Sequence, residues 1–418
     1  MNTPPSPARE TDPRAVKHWA QGSSGLFAAP PLGPVEADRC FYVHGPDFAR
    51  RFFHADDGAL SHADGWNSVL GAAFGHGMLN LDGRLHDTYR RAVMPLLKRR
   101  AVAAYAPHIT SAFRRVTTEL GGTVDVFPLV RRLVFEISAQ ILAGIAPRDT
   151  EELLEAYIHL QAPRPLGTAE GMRAVQRAVR ARHALRASLL AAARRPGGNR
   201  DNAVTRLRAL DDRPSDLQIA ENLSILLLGG YETTGYLLSR MLWLVARHAE
   251  LQEQLRRGFQ REDPLGGQPL FDAVFAETAR LHPPLAHLPR RSGVDLNWAG
   301  HHIPAGSHVF FSVLTTHHDP ALFPEPEKFR IGRFGVGKTE ATPPGFALVP
   351  FGAGRRICPG VHLATLTSKL ITQHFLESFR MNADSDRYVA DVTHNGASIS
   401  PAGPLTIIFS QHRERSSR

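Results

Sequence analysis

Two short segments hold the residue types with the most chemistry in them. Phe351-Gly352-Ala353-Gly354-Arg355-Arg356-Ile357-Cys358-Pro359-Gly360 puts a lone cysteine just before residues 361–375, whose apolar spacing is helical. The bare N–H groups and positive dipole end of that helix favour a thiolate over a thiol, and Arg355 and Arg356 push the same way. Gly352, Gly354 and Gly360 permit tight turns and let a flat ligand come close to the backbone. A thiolate so placed suits metal ligation. Cys40 is the only other cysteine, which leaves a zinc or iron–sulfur site short of ligands, whereas haem takes one axial residue from the protein. The second segment is Gly229-Gly230-Tyr231-Glu232-Thr233-Thr234. Gly229, Gly230 and Thr233 fall on one helical face. A mid-helix glycine costs about 0.5–1 kcal/mol relative to alanine, so two in succession suggest a need for room beside a hydroxyl. Close helix packing over the glycines, with Thr233 bonding back to its own helix, is the competing account.

Helical periodicity dominates the elements that must position these groups: residues 86–99, 101–120, 126–145, 149–160, 171–194, 216–248 and 270–281. The longest starts at a Ser215 cap after Pro214 and carries the glycine-threonine segment along its middle. Strand patterns are short and late, at 295–298, 308–314 and 405–409. The expected fold is mainly α with small β-sheets (α+β). Residues 320–357 are rich in Pro and Gly and too long for an ordinary loop, which marks a functional stretch.

With 418 residues, 43% hydrophobic and 21% charged, the chain can bury a large core, and no Pro/Gly/Ser linker divides it. A single domain over 21–409 is expected, with a loose arm at 1–20 and a polar tail at 410–418. No apolar run approaches the roughly 20 residues of a membrane span, and the first ten residues lack a secretory pattern. A cytoplasmic protein without membrane association is expected. The formal charge of +9 comes from arginine, since Lys17, Lys98, Lys328, Lys338 and Lys369 are the only lysines. That balance suits an acidic protein partner. The arginines are dispersed and no zinc-ligand or aromatic-basic pattern accompanies them, which argues against nucleic acid.

The cysteine segment resembles the haem-ligand loop of the cytochrome P-450 family, Phe-x-x-Gly-x-Arg/His-x-Cys-x-Gly, with Phe351, Gly354, Arg356, Cys358 and Gly360 at every fixed position. Other motifs follow in the family's order over about residues 40–405. Glu277-Thr278-Ala279-Arg280 resembles the Glu-x-x-Arg element, and Arg333 after Pro324-Glu325-Pro326 is the candidate third member of its structural triad. Gly229 to Thr233 resembles Ala/Gly-Gly-x-Asp/Glu-Thr, and His86-x-x-x-Arg90 and Arg290 match basic positions that hold haem propionates. The resemblance implies a haem b protein with a long central helix over the haem and a proximal cysteine loop. In it Cys358 is the axial thiolate, Phe351 packs near the sulfur, and His86, Arg90, Arg290 and Arg356 clamp the propionates. Glu232 and Thr233 then deliver protons to dioxygen.

The activity so implied is monooxygenation of a small organic substrate by hydroxylation, epoxidation or oxidative coupling. Electrons would come from NAD(P)H through a separate ferredoxin or flavodoxin and its reductase, as in the soluble bacterial members, which often act as monomers in secondary-metabolite biosynthesis. The alternatives are a haem-thiolate enzyme that does not use dioxygen (peroxygenase, dehydratase or isomerase) and a non-catalytic haem sensor. Retention of Glu232 and Thr233 argues against both. Substrate contacts are expected from Trp66, Phe74, Leu285, Leu288 and Ile399 as apolar walls and from His76 and His287 as polar handles. Cys40 matches nothing in the family and reads as a structural thiol.

Overall fold

Ser215 and Gln218 cap the longest helix by satisfying each other's amides: the Ser215 hydroxyl accepts from the Gln218 N–H at 3.3 Å, and Gln218 Oε1 accepts from the Ser215 N–H at 2.8 Å. The helix then runs over Asp216–Ala246, and its apolar residues point in every direction, which fits an element buried on all sides. In this computed structural model the described residues are 25–28, 40–70, 75–161, 169–194, 201–261, 267–335, 344–383, 391–394 and 398–411.

In chain order the helices are α1 (Pro46–His54), α2 (His62–Leu70), α3 (Gly83–Leu97), α4 (Arg99–Ala103), α5 (Ala106–Val116), α6 (Val126–Ala143) and α7 (Thr150–Gln161). They continue as α8 (Ala169–Arg194), α9 (Ala203–Arg208), α10 (Asp216–Ala246), α11 (Ala249–Arg261), α12 (Pro269–Leu281), α13 (Val313–His317) and α14 (Val361–Ser378). The strands are β1 (Gly25–Ala28), β2 (Cys40–His44), β3 (Leu60–Ser61), β4 (Gly122–Asp125), β5 (His287–Ser292) and β6 (Leu296–Trp298). After them come β7 (His301–Ile303), β8 (His308–Ser312), β9 (Phe379–Asn382), β10 (Asp391–His394), β11 (Ser398–Pro401) and β12 (Thr406–Gln411). The fold is mainly helical with small sheets.

The largest sheet has the order β1-β2-β8-β5-β3, with β2 and β8 parallel and the other pairs antiparallel. A second sheet, β4-β12-β9, includes Ser410 and Gln411, so the regular structure extends two residues into the stretch read as a polar tail. The helix expected over 101–120 is broken into α4 and α5, because Pro107 lies in the first turn of α5 and cannot donate to a preceding turn. Helices α1, α2, α9, α11 and α13 went unread, the last beginning inside the strand expected over 308–314. Four of them are at most nine residues long, and the fifth, α11, follows α10 after a short break.

Glu277 and Arg280 on α12 meet Arg333 in the interior. The Glu277 carboxylate accepts from Arg280 Nε (2.7 Å) and Nη2 (2.9 Å), from Arg333 Nε (3.2 Å) and from the Arg330 N–H (2.9 Å). Arg280 Nη1 donates to the carbonyls of His317 and Pro326, both at 2.8 Å. The three side chains are buried, and together they lock α12 to the irregular segment that leads to the cysteine loop. Cys40 is buried on β2, where desolvation raises its thiol pKa to about 11, as suits an inert thiol. Among the described residues no helix is long and apolar enough to cross a membrane.

Candidate functional site

The cysteine loop is shaped by its glycines and one backbone bond. The Cys358 N–H donates to the Phe351 carbonyl at 2.9 Å, closing the loop on itself. Gly354 has φ +63°, and a Cβ there would stand 2.5 Å from the Phe53 carbonyl oxygen on α1, so a side chain is excluded by both conformation and space. Gly360 caps α14 and puts its N–H on the Cys358 sulfur. Phe351 stacks on Phe275 of α12 with ring centroids 6.1 Å apart.

Burial raises the Cys358 thiol pKa, while the Gly360 N–H and the Arg90 guanidinium pull it back. This corrects the expectation that Arg355 and Arg356 support the thiolate. Arg355 turns to Asp87 (2.6 Å) and Asp57 (3.0 Å), and Arg356 turns to Asp57 (3.0 Å), Asp82 (2.7 Å) and the Leu81 carbonyl (2.9 Å). Arg90, from α3, is the cation at the sulfur, and its Nη2 donates to the Ile357 carbonyl at 2.7 Å.

Cys358, Phe351, Gly360, Gly229, Glu232 and Thr233 line one cavity of about 300 Å³. His86, Arg90, Arg290 and Arg356 line it too. Burial holds His86 neutral, with its pKa down to about 4, and its Nδ1 lies 3.0 Å from Asp87. Burial, with Arg356 adding like charge, lowers Arg290 to about 9; its guanidinium lies over the Phe52 ring at 5.1 Å and, among the described residues, makes no ion pair. Arg356 keeps a buried Nε without a partner. A buried cation with no carboxylate in contact among the described residues and an orphaned guanidinium N–H both call for an anion. Haem fits these residues: its carboxylates would supply that charge, Cys358 would be its axial ligand, and Gly229, where an added Cβ would meet nothing within 4 Å, leaves α10 bare beside the space. Asp57 and Asp82, which order Arg356, were not foreseen. Carboxylates so distant in sequence carry no local signal.

On α10, Thr233 Oγ1 donates to the Gly229 carbonyl at 2.7 Å, and Glu232 Oε2 accepts from Arg131 Nη2 of α6 at 2.9 Å. Both glycines line the cavity, where their spacing was expected to leave room. Gly229 faces open space, whereas a Cβ at Gly230 would approach Ser138 Oγ of α6 at 3.1 Å, so Gly230 also lets α6 pack close.

Of the seven expected substrate residues, Trp66, Leu285 and Leu288 line the cavity. His76 is exposed and outside the lining. His287 is buried edge-on against Tyr42 at 5.4 Å, its pKa lowered by burial to about 3. Side chains alternate along β5, so Leu288 and Arg290 reach the cavity and His287 points to the other face. Ile399 packs with Tyr236, Ala286 and Leu314, while its neighbour Ser398 lines the cavity. Phe74 lies outside the described residues. Sequence reasoning missed the walls from α6 (Val134, Leu142) and from the first half of α10 (Ile225, Leu226). Only their apolar spacing could have pointed to them, and that reads equally as core.

The cytochrome P-450 family model matches residues 175–409. Cytochrome P-450 120 of Synechocystis sp. is 29% identical over 320 residues, 71% of each chain. Cytochrome P-450 135A1 of Mycobacterium tuberculosis is 28% identical over 371 residues, 84% of this chain and 80% of its own. Among solved structures, cyanobacterial CYP120A1 with bound retinoic acid superposes with a TM-score of 0.80 at 24% identity, covering 93% of this chain and 92% of that one. A six-coordinated cytochrome P-450 from Thermus thermophilus has a TM-score of 0.72 at 21% identity, over 89% and 93%. With a cysteine loop, a central helix and a basic edge meeting at one cavity, and with more than half its length matched by the family model, the chain belongs to the cytochrome P-450 family of haem-thiolate monooxygenases.

Proposed function

We propose that this monooxygenase oxidises a small, mainly apolar organic molecule by hydroxylation, epoxidation or oxidative coupling, as a step of secondary-metabolite biosynthesis. Its electrons come from NAD(P)H through a separate ferredoxin or flavodoxin. The observation that carries the reading is a single cavity that joins the Cys358 sulfur and the Glu232-Thr233 pair to a largely aliphatic and aromatic wall. Haem bound there supplies the reduction and cleavage of dioxygen and the insertion of one oxygen atom into the substrate.

The chain's own residues set the conditions for that chemistry. Arg90 and the Gly360 N–H favour the ionised sulfur against its burial. Leu285, Leu288, Ile225, Leu226 and Val134 exclude water and accept an apolar molecule. Thr233 donates its hydroxyl proton in a hydrogen bond to the Gly229 carbonyl, and by rotating about χ1 it presents the hydroxyl to the cavity as donor and acceptor at once. Glu232 is a carboxylate on the cavity wall, able to take up a proton and release it towards that hydroxyl. An acidic electron carrier is favoured by Lys98, Arg99 and Arg100, which are exposed just beyond the helix that carries Arg90.

The test starts with the carbon monoxide difference spectrum of the reduced holoprotein, and ferric-state titrations with apolar compounds follow. NAD(P)H consumption and product are then measured with a surrogate ferredoxin or flavodoxin system. Product formed in step with NAD(P)H supports the proposal. Product formed with hydrogen peroxide and none with the reductase system would make the protein a peroxygenase.

A further inference from the structure

Residues 75–80, which precede α3, cross the first half of α10 in close backbone contact. Gly75 has φ +79°, and a Cβ there would stand 2.5 Å from Glu221 Cγ. Gly77 has an ordinary φ of −96°, but a Cβ would stand 2.7 Å from the Glu221 carbonyl oxygen and 2.8 Å from Ile225 Cγ1. The two glycines thus let the segment lie directly on the helix. Asn222 of α10 fastens the crossing. Its Oδ1 accepts from the Met78 N–H at 3.0 Å, and its Nδ2 donates to the Gln218 carbonyl at 2.8 Å, which fixes the direction of the amide. Asn80 braces the other side, its Nδ2 donating to the Gly75 carbonyl at 2.8 Å and to Asn67 Oδ1 of α2 at 2.9 Å. Both asparagines are buried, and neither lines the cavity. Met78 and Leu79, which they hold, do line it, beside Ile225 and Leu226 of α10 and Val69 and Leu70 of α2.

From this we infer that Asn222 is a positioning residue for substrate selection: it holds Met78 and Leu79 down as an apolar end wall, which limits the substrate to one whose end remote from Gly229 and Thr233 is hydrocarbon of bounded length. The inference deepens the reading of this cavity as the space for haem and substrate, and it rests on that reading. Asn222 and Gly229 are separated by about 10 Å along the helix axis, so a chain of a few carbons already reaches the wall. The side chains there offer no N–H or O–H, so a polar group brought against them would lose its water without gaining a partner, whereas an aliphatic end is accepted. Without Asn222 the Met78 N–H would be buried with no acceptor. The segment would lift to let that group reach water, and the wall would retreat with it.

The experiment titrates the ferric, haem-loaded wild type, Asn222→Ala, Asn222→Asp and Gly77→Ala with imidazole and with straight-chain N-alkylimidazoles of rising length, following the Soret band. The imidazole nitrogen binds the iron and fixes one end of the probe, so the alkyl chain measures the distance to the wall. In the wild type, affinity should rise about fourfold per buried methylene and stop rising at one chain length. In Asn222→Ala that break should move to longer chains, the first homologue beyond the wild-type break gaining about fourfold. Backbone hydrogen exchange of residues 75–80 should quicken by about tenfold or more, while haem content and the affinity for imidazole itself stay at wild-type values. Asn222→Asp, whose carboxyl oxygen still accepts from the Met78 N–H, should keep the wild-type break. If Asn222→Ala does not accumulate, Gly77→Ala serves: its methyl meets the Glu221 carbonyl and lifts the segment, and the break should again move to longer chains. An affinity that climbs without a break in the wild type, or one shared break in the wild type and in Asn222→Ala or Gly77→Ala, would overturn the inference. A Soret band indifferent to imidazole itself would instead overturn the haem reading beneath it.

Discussion

Cys358 and Thr233 line the same cavity, yet each is held by a backbone group of its own segment: the sulfur by the Gly360 N–H and the hydroxyl by the Gly229 carbonyl. Cys358→Ser removes the cysteine sulfur that would hold haem, so the reduced carbon monoxide complex should lose its red-shifted Soret band; an unchanged band would place the ligand elsewhere. Thr233→Ala removes one hydroxyl whose present bond is to its own helix, so folding and haem uptake should be unaffected. The fraction of electrons released as peroxide should rise several-fold, by the logic of a lost acid-base partner. Residue types and spacings made both groups legible. Directions were not. Arg355 and Arg356 are three and two residues from Cys358 and still turn to Asp57, Asp82 and Asp87, because carboxylates brought from the turn after α1, from α3 and from the residue before it compete for them. Nothing local records such partners, and Arg90, far away in sequence, takes the place beside the sulfur.

Elements carry the site through contacts that tolerate little change. Glu277→Ala would leave Arg280 and Arg333 buried without their carboxylate, at a cost of about 3–5 kcal/mol, read as a drop in holoprotein yield and in denaturation midpoint. Gly354→Ala meets the Phe53 carbonyl at 2.5 Å in a left-handed backbone conformation. It should cost about 1–3 kcal/mol through strain and a displaced loop, seen as faster haem transfer to an apo-acceptor protein. The long helices were legible because an apolar period of 3.6 sustained over many residues has few other readings. The β5 side-chain directions followed a different period, which separates Leu288 and Arg290 from His287. Pro107, visible in the sequence, marked the break between α4 and α5 that the apolar pattern ran across.

At the scale of the whole molecule, β10 is tied to α10 and to the end of α12 by one carboxylate. Asp391 accepts from Arg240, which is fully buried, and sits 2.9 Å from His282 Nδ1. Burial alone would raise its pKa, but Arg240 and then His282 bring it down to about 2 from an ordinary 3.8. A folded-state value below the unfolded one stabilises the fold above the unfolded value. That contribution, roughly 2 kcal/mol, is lost as pH falls from about 4 to 2. Denaturant melts of wild type and Asp391→Asn should therefore differ at pH 7 and converge below pH 4. The largest sheet has a consequence of another kind. Strand β2 is flanked on its inner side by β8, made more than half the chain later, so residues 40–44 leave the ribosome long before the strand that completes their pairing. Cys358 emerges later still. The N-terminal strands must therefore wait, one edge unpaired, for residues 308–312, and the cysteine that would hold haem is made only after that sheet has its partners.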